Sequence, residues 1–395
     1  MSRSVDRAGP AMGERAGGDA VIGVNLTWLV PGVVGGSEEY TVRLLEAIGP
    51  ALAPGCRLRL YGRPDLAEAY PELATAHQWV EAPVWPGGRL TRVTQEATWL
   101  ARQTRTDALV HHAGGTIPLR GSRPAVVTVH DLQPIEHPDN FGLVKRWWLG
   151  RSIPRAVERA ELVLCPSPHA AGRLEAVLDV APERIRVVPH GHRPPPEPDE
   201  EDDDRRAAMA DRFGRFLLYP AIAYRHKRHV DLVHLLDQLG PQHGDVQVVL
   251  TGRPGPESEA VRAEAERLGV GDRVHQLGRV PLADLHALYR AAEALVFPSA
   301  YEGFGNPAVE AMGLGCPVVV SDAGALPDVV GPAGLIFAVG DVAAMAEAVA
   351  LVLDDPDYAD GLRQLGRLRA AEFDVEMAAA RLADVYREIV DSPRS

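Results

Sequence analysis

Short apolar runs alternate with longer amphipathic segments along most of the chain. In the first half, apolar runs at 21–26, 57–61, 108–111, 125–129, 162–165 and 185–188 are separated by segments of helical period at 37–48, 89–105 and 143–159. Buried apolar strands that alternate with helices are typical of a parallel sheet covered by helices on both faces. The first half therefore predicts an α/β domain built on a parallel sheet.

The pattern breaks at residues 193–204, which read RPPPEPDEEDDD, and restarts near residue 216. A segment without apolar side chains other than proline cannot bury enough surface to offset its ordering entropy. We therefore predict a solvated acidic and proline-rich linker at 194–206, between α/β domains at 20–193 and 207–374. The fold class is two Rossmann-like parallel-sheet domains facing a cleft, because open α/β sheets bind ligands at the carboxyl ends of their strands.

The two ends of the chain have different patterns. Residues 1–19 are rich in Gly, Ala, Arg and Asp without an apolar core, so we interpret them as a disordered leader and not as a secretory signal. Residues 375–395 have helical period over most of their length. We expect this last segment to form a helix that packs back on the first domain.

Composition narrows the class of protein. The net charge of −13 is concentrated in the run at 197–204 and gives no basic face, which argues against a nucleic-acid partner. Cys56, Cys165 and Cys316 are too far apart in sequence for a C-x-x-C site, so a reducing compartment fits best. No apolar stretch has the roughly 18 residues of a membrane-spanning helix. We expect a cytoplasmic protein.

The segment that carries chemistry is ALVFPSAYEGFGNPAVEAMGLGCPVVVSD at 294–322. A strand ends at Pro298, a loop with Gly303 and Gly305 follows, and Asn306-Pro307 predicts a helix start with asparagine as the N-cap. Free N–H groups at a helix N-terminus bind phosphate. The predicted donors are the N–H groups of Phe304, Gly305, Asn306 and Ala308.

Two carboxylates, Glu302 and Glu310, flank this loop. An ionised carboxylate only accepts hydrogen bonds, so it suits a ligand rich in hydroxyl groups. The alternative for each residue alone is that Glu310 complements the helix dipole and that Glu302 is a solvated loop residue. Together with the loop, the pair indicates a site for a sugar nucleotide.

The pattern E-G-F-G-x-P-x-x-E-A-M, followed by G-x-P-V-V-x-S and Leu326-Pro327-Asp328, resembles the donor signature of family 4 glycosyltransferases. These are retaining enzymes with the GT-B fold. The resemblance covers most of the chain and is dense over 216–341. It implies that Glu302 contacts the donor sugar beside the reacting carbon and that Glu310 binds the ribose hydroxyls.

A second segment, LLYPAIAYRHKRHVDLVHLL at 217–236, resembles the family's strand-loop-helix unit whose lysine neutralises the donor diphosphate. The resemblance assigns that role to Lys227. The family often has an arginine beside this lysine, whereas His226 stands here, so we take Arg225 as the assisting residue. Base recognition in this fold relies on backbone groups, which we place near Val280.

The N-terminal half adds two further resemblances. PGVVGGSEEY resembles the family's first glycine loop, which implies that Gly35 and Gly36 close over the sugar diphosphate. The strand at 125–129 ends in His130-Asp131, and the family has a histidine there that lines the cleft near the donor sugar. A structural cap is the alternative for His130.

The resemblance implies retaining transfer of a hexosyl group from a nucleoside-diphosphate sugar, of the GDP-mannose or UDP-glucose type, to an acceptor hydroxyl. It implies neither a cofactor nor a metal, and we interpret the D-x-D patterns at 202–204 and 355–357 as solvated charge. The acceptor stays open between glycans, lipid-linked sugars and small molecules. Alternatives are a nucleotide-sugar epimerase, hydrolase or phosphorylase of the same fold, a two-Rossmann NAD oxidoreductase, and a non-catalytic sugar-binding subunit.

The segment VKRWWLGRSIPRAVER at 144–159 combines Trp147 and Trp148 with five basic residues. A basic aromatic helix can lie on an anionic membrane surface, so weak peripheral membrane contact is a further hypothesis. The alternative is that both tryptophans belong to the core. Pro154 is expected to interrupt the helix.

Overall fold

A computed structural model describes residues 20–33, 35–84, 89–121, 123–194 and 197–392, so the predicted leader at 1–19 lies outside the described residues. Two parallel sheets form, one in each half of the chain. The first sheet has the order β3-β2-β1-β4-β5-β6-β7. Its strands are β1 Ala20–Asn25, β2 Cys56–Gly62, β3 Gln78–Glu81, β4 Leu109–His112, β5 Ala125–Thr128, β6 Leu162–Cys165 and β7 Ile185–Val187.

The second sheet repeats this arrangement with the order β10-β9-β8-β11-β12-β13. Its strands are β8 Phe216–Pro220, β9 Gln247–Thr251, β10 Val274–Gln276, β11 Ala294–Phe297, β12 Val318–Ser321 and β13 Gly334–Phe337. In each sheet the chain first adds strands toward one edge and then crosses back to add strands on the other side of its first strand. The direction changes between the adjacent strands β1 and β4 in the first sheet and between β8 and β11 in the second. The loops diverge at these two points and leave a crevice at the carboxyl ends. The predicted fold class is confirmed.

Helices cover both faces of the sheets. In the first half they are α1 Gly36–Ala47, α2 Pro64–Ala69, α3 Pro71–Ala76, α4 Arg89–Gln95, α5 Ala101–Gln103, α6 Gln133–Glu136, α7 Leu143–Arg159 and α8 Pro168–Leu178. In the second half they are α9 Glu200–Phe213, α10 His229–Gln238, α11 Ser258–Arg267, α12 Leu282–Ala291, α13 Asn306–Gly313, α14 Leu326–Val330, α15 Val342–Asp354, α16 Pro356–Ala371 and α17 Val375–Asp391. Within the described residues, no helix is both long and apolar enough to cross a membrane.

Several elements differ from the sequence prediction. Strand β3 was not predicted, because it is a short and partly exposed edge strand without an apolar run. The segment predicted as one helix at 89–105 changes to a π-helical turn at Glu96–Leu100. The interruption expected at Pro154 is wrong, since α7 continues through that residue. Proline removes the hydrogen bond to the carbonyl four residues earlier, and this carbonyl belongs to the exposed Gly150.

The segment predicted as a solvated linker at 194–206 is partly helical, because α9 begins at Glu200. The Asp199 side chain accepts a hydrogen bond from the N–H of Asp202 at 2.9 Å and caps the helix. Acidic residues in the first turn then face the positive end of the helix dipole. The acidic run therefore contains the start of a helix. Oδ2 of Asp202 also lies 3.5 Å from Nη1 of Arg290 on α12.

Helix α17 packs on the N-terminal domain, where its apolar side shares a core with β1, β2 and α1. Tyr386 is buried there, and its hydroxyl lies 2.7 Å from Nδ1 of His111 on β4. The other ring nitrogen of His111 bonds to the Thr128 hydroxyl, also at 2.7 Å. A helix from the C-terminal end of the chain thus completes the N-terminal core.

The chain crosses between the domains twice at one place. The N–H of His192 donates to the Phe373 carbonyl at 2.6 Å, and the N–H of Val375 donates to the His192 carbonyl at 3.1 Å. The outgoing and returning segments are therefore paired like two short strands.

Candidate active site

A cleft of about 530 Å³ lies between the domains at the carboxyl ends of both sheets. It contains most of the predicted site residues, from both halves of the chain. They are Gly36, His130, Lys227, Glu302, Gly303, Phe304, Gly305, Asn306 and Glu310.

The loop after β11 feeds α13 as predicted, with one difference at the helix start. Gly305 is the N-cap, with φ 105°, and Asn306 is the first helical residue instead of the cap. The N–H of Ala308 donates to the Gly305 carbonyl at 2.9 Å, and Ala308 is fully buried. The prediction that Ala308 offers a free donor is therefore wrong, and Phe304, Gly305 and Asn306 remain candidates for binding phosphate.

Lys227 and Glu302 form an ion pair inside the cleft. The Lys227 Nζ lies 2.5 Å from Glu302 Oε1, and both side chains are mostly buried. The turn that carries Lys227 is fixed to the exit of β11, because the N–H of Ala300 donates to the His226 carbonyl at 2.7 Å. The Tyr219 hydroxyl also donates to the Lys227 carbonyl at 3.1 Å. The ammonium group is thus held beside the loop that offers N–H groups.

The backbone of Glu302 is fixed from the other side by the loop after β12. The N–H of Ala325 donates to the Glu302 carbonyl at 3.0 Å. Gly324 has φ 58°, and a β-carbon there would collide with the same carbonyl. Glycine at 324 therefore permits the close approach that places Glu302.

His130 follows β5 and faces this cleft from the N-terminal domain. Its Nε2 lies 2.9 Å from the carbonyl oxygen of Ala113, which only accepts, so this nitrogen carries the proton. The buried Nδ1 has no protein partner among the described residues. Burial lowers the pKa of His130 to about 4. The imidazole is therefore neutral near pH 7, with Nδ1 unprotonated.

Glu310 lies in a cluster that the sequence did not predict. The hydroxyl of Tyr289 on α12 donates to Glu310 Oε2 at 3.2 Å, and Arg43 Nη2 on α1 lies 3.6 Å from Glu310 Oε1. Arg43 also pairs with Glu39, one helical turn away. Burial and the nearby Glu39 raise the pKa of Glu310 to about 7, with Arg43 opposing them.

The two domains touch through the loop at 301–305. The Ser167 hydroxyl donates to the Gly303 carbonyl at 3.0 Å, and the N–H of Leu132 donates to the Tyr301 hydroxyl at 3.2 Å. His190 of the N-terminal domain stacks on Phe304 with ring centroids 4.6 Å apart. The loop at 301–305, which precedes α13, is thus held against the N-terminal domain.

Four predicted site residues lie outside the cleft lining, the buried Ala308 and three others. Arg225 is exposed on the short turn at Arg225–Lys227, so the structure does not support it as the assisting arginine. Val280 is partly buried against the C-terminal core. Gly35 is the exposed N-cap of α1, with φ 81°, directly before the cleft residue Gly36.

The cleft also contains residues that sequence reasoning did not select, among them Glu39, Asp131 and His190. The His-Asp pair at the end of β5 was a signal for Asp131. Burial is the main cause of its raised pKa, and Glu302 raises it further. Glu39 gave no comparable signal, since it looks like an ordinary surface residue of an amphipathic helix.

Comparisons with known proteins match each half of the chain to a glycosyltransferase family model. The family model described as Glycosyltransferase Family 4 matches residues 34–194, and the one described as Glycosyl transferases group 1 matches residues 200–369. An MMP alpha-(1->4)-mannosyltransferase of Mycolicibacterium hassiacum is 33% identical over 63% of this chain, and the match spans 59% of the relative's length.

Two further similarities extend over nearly the whole chain. A 2-deoxystreptamine glucosyltransferase of Streptomyces kanamyceticus is 28% identical over 92% of this chain and 93% of its own length. The crystal structure of Anabaena Alr3699/HepE in complex with UDP and glucose superimposes with a TM-score of 0.74 and 19% identity, covering 93% of this chain and all of the other. At that identity the likeness concerns the fold.

Proposed function

Because this chain belongs to the family 4 glycosyltransferases, whose two models together match most of it, we propose that it transfers a hexosyl group from a nucleoside-diphosphate sugar to an acceptor hydroxyl. The observation that carries the proposal is the arrangement of Lys227, Glu302 and Glu310 on one wall of the cleft, with His130 on the other. The donor is of the GDP-mannose or UDP-glucose type.

The C-terminal wall binds the donor. Glu310 accepts hydrogen bonds from the ribose hydroxyls, and Lys227 with the N–H groups of the 303–306 loop binds the diphosphate. Glu302 orients the hexose through its hydroxyls. Charge develops on the diphosphate as the sugar departs, and a fixed ammonium group stabilises that charge without a metal ion.

The N-terminal wall contributes His130, the loop at Gly35-Gly36 and the acceptor pocket. Neutral His130 places an uncharged imidazole beside the donor sugar. In the reaction, the bond from the anomeric carbon to the diphosphate oxygen breaks, and the acceptor oxygen bonds to the same face of that carbon. The leaving diphosphate oxygen takes the acceptor's proton, so the configuration is retained and no protein base is required.

The relatives support the class of donor and leave the acceptor open. Their names describe a mannosyltransferase and a glucosyltransferase, and the Anabaena structure contains UDP and glucose. The arrangement of carboxylates and lysine favours a transferase over an NAD oxidoreductase. Epimerase, hydrolase and phosphorylase reactions of the same fold remain alternatives that product analysis separates.

The first test is thermal stabilisation by UDP, GDP, ADP and their sugars, with magnesium or with EDTA, and by NAD and NADP. We expect one base series to raise the Tm by about 5 °C at a hundredfold excess over Kd, equally in EDTA. NMR of the stabilising sugar nucleotide with candidate acceptors should then show a glycoside of unchanged anomeric configuration. Stabilisation by NAD alone would favour the oxidoreductase, and stabilisation by none would favour a non-catalytic subunit.

We also propose peripheral contact with an anionic membrane through the start of α7. Leu143, Val144 and Trp147 are 81%, 78% and 61% exposed, and the adjoining groove of about 720 Å³ also includes Arg146 and Arg151. Exposed apolar side chains beside cations suit an anionic lipid surface. We expect co-sedimentation with anionic vesicles, weakened by Trp147→Ser and absent with zwitterionic vesicles. Equal behaviour with both vesicle types would contradict this contact.

A further inference from the structure

The charged cluster around Glu310 joins the two domains. Arg43 and Glu39 belong to α1 of the N-terminal domain, whereas Glu310 belongs to α13 of the C-terminal domain. Besides the contact between Arg43 and Glu310, the Asn306 Nδ2 donates to Glu39 Oε2 at 3.3 Å. The Glu310 side chain is only 19% exposed, and the contacts of both its oxygens are with protein groups.

We propose that Arg43 is a positioning residue for donor binding, which favours the ionised form of Glu310 and thereby its capacity to accept hydrogen bonds from the ribose when the domains are closed. This inference rests on the proposed role of Glu310 as the ribose ligand. Arg43 itself contacts Glu310 and Glu39 and acts on the donor through the carboxylate.

The physical reason is that the desolvated carboxylate of Glu310 lies near a second carboxylate, that of Glu39, whose side chain is 40% exposed. Burial and the negative charge of Glu39 both favour protonation of Glu310, and Arg43 is the cation that opposes them. If Arg43 is removed, the balance shifts toward a protonated Glu310. A protonated carboxyl group presents an O–H to the ribose and loses part of its capacity to accept.

The other titratable groups near Arg43 do not replace its charge. His190, His192 and His286 all have pKa values lowered by burial, and each also feels the positive charge of Arg43. Tyr289 stays protonated, because burial and Glu310 raise its pKa well above the usual value. Among the described residues facing Glu310, Arg43 thus supplies the positive charge.

The same contact links nucleotide binding to domain closure. Arg43 reaches Glu310 only while α1 and α13 are close, so the ionised form of Glu310 and the closed arrangement favour each other. Binding of a nucleotide to the ionised carboxylate then stabilises the closed arrangement, and the closed arrangement strengthens nucleotide binding by the same free energy. The donor-binding site is therefore complete only when both domains contribute to it.

The test measures Kd for the nucleoside diphosphate that stabilises the wild type, chosen from UDP, GDP and ADP, between pH 6.5 and 9. We expect Arg43→Ala to weaken binding about fivefold at pH 7 and to approach the wild-type Kd at pH 9. A rise of one unit in the pKa of Glu310, from about 7, lowers its ionised fraction at pH 7 from about one half to about one tenth. Arg43→Lys should retain most of the affinity at pH 7. The matched control is Arg387→Ala, which removes an exposed ion pair with Asp384 on α17 and should leave Kd unchanged.

The double variant Glu39→Gln/Arg43→Ala separates this role from a merely structural one. It removes the repulsion together with the cation, so binding at pH 7 should recover several-fold relative to Arg43→Ala alone. A loss that is equal at every pH and that Glu39→Gln does not relieve would overturn the proposal. If wild type binds none of the three nucleotides at any pH, the proposed function fails instead, which is a distinct outcome.

Discussion

Replacing Lys227 with alanine is expected to lower kcat/KM about 10²–10³-fold, most of it in kcat. The ammonium group lies in a mostly buried position, 2.5 Å from Glu302, and charge on the departing diphosphate develops beside it. An interaction that strengthens as the bond breaks affects the chemical step more than it affects ground-state binding. Steady-state kinetics with a saturating acceptor and a range of donor concentrations measures both constants.

Two comparison variants make the Lys227 result specific. Lys227→Arg keeps the positive charge and should recover part of the lost rate, although a planar guanidinium does not reproduce the position of the ammonium. Arg387→Ala again provides the remote control, with kinetics within error of wild type. A Lys227→Ala enzyme with unchanged kcat and a raised KM would assign Lys227 to uniform binding and contradict its role in leaving-group stabilisation.

Replacing Tyr386 with alanine is expected to lower the free energy of unfolding of the N-terminal domain by about 3–5 kcal/mol. Tyr386 is 1% exposed within the core that α17 shares with the N-terminal sheet, and its hydroxyl bonds to the buried His111. The substitution leaves a cavity and removes a partner from a buried ring nitrogen. Urea unfolding followed by tryptophan fluorescence measures the change.

The control for Tyr386 is Tyr358, a tyrosine of α16 that is 38% exposed. Tyr358→Ala should change the free energy of unfolding by less than about 0.5 kcal/mol. Tyr386→Phe should be intermediate, at about 1–3 kcal/mol, because it keeps the ring volume and leaves the His111 nitrogen unpaired. Equal stability of the two alanine variants would show that α17 does not contribute to the N-terminal core.

The loop and helix start on the C-terminal wall of the cleft could be predicted from sequence, because their residues are close together in the chain. Gly303, Gly305 and Pro307 set the loop and helix start, and this local geometry places Glu302 and Glu310 at the same strand end. The exact residue at which α13 begins could not be predicted. Whether Asn306 or Gly305 is the cap depends on the backbone angle at Gly305, which the pattern of residue types does not determine.

The cross-domain part of the site could not be predicted in this way. Glu39 and Arg43 look like an ordinary pair one turn apart on an exposed helix face. Their significance comes from Glu310, which is far away in sequence and approaches only in the folded chain. The run at 197–204 was predicted to be a solvated linker because of its charge. It contains instead the capped start of a helix, whose first turn accommodates acidic residues.

The return of α17 to the first domain has a consequence for the order in which the protein is made and folded. Strands β1 to β7 leave the ribosome first, but the face covered by Ala379, Leu382 and Tyr386 stays open until α17 is synthesised. The C-terminal core, by contrast, is built from residues between Phe213 and Phe373 and is complete earlier. The N-terminal domain is therefore translated first but finishes folding after the C-terminal core, and its incomplete sheet must avoid aggregation while residues 213–373 are synthesised.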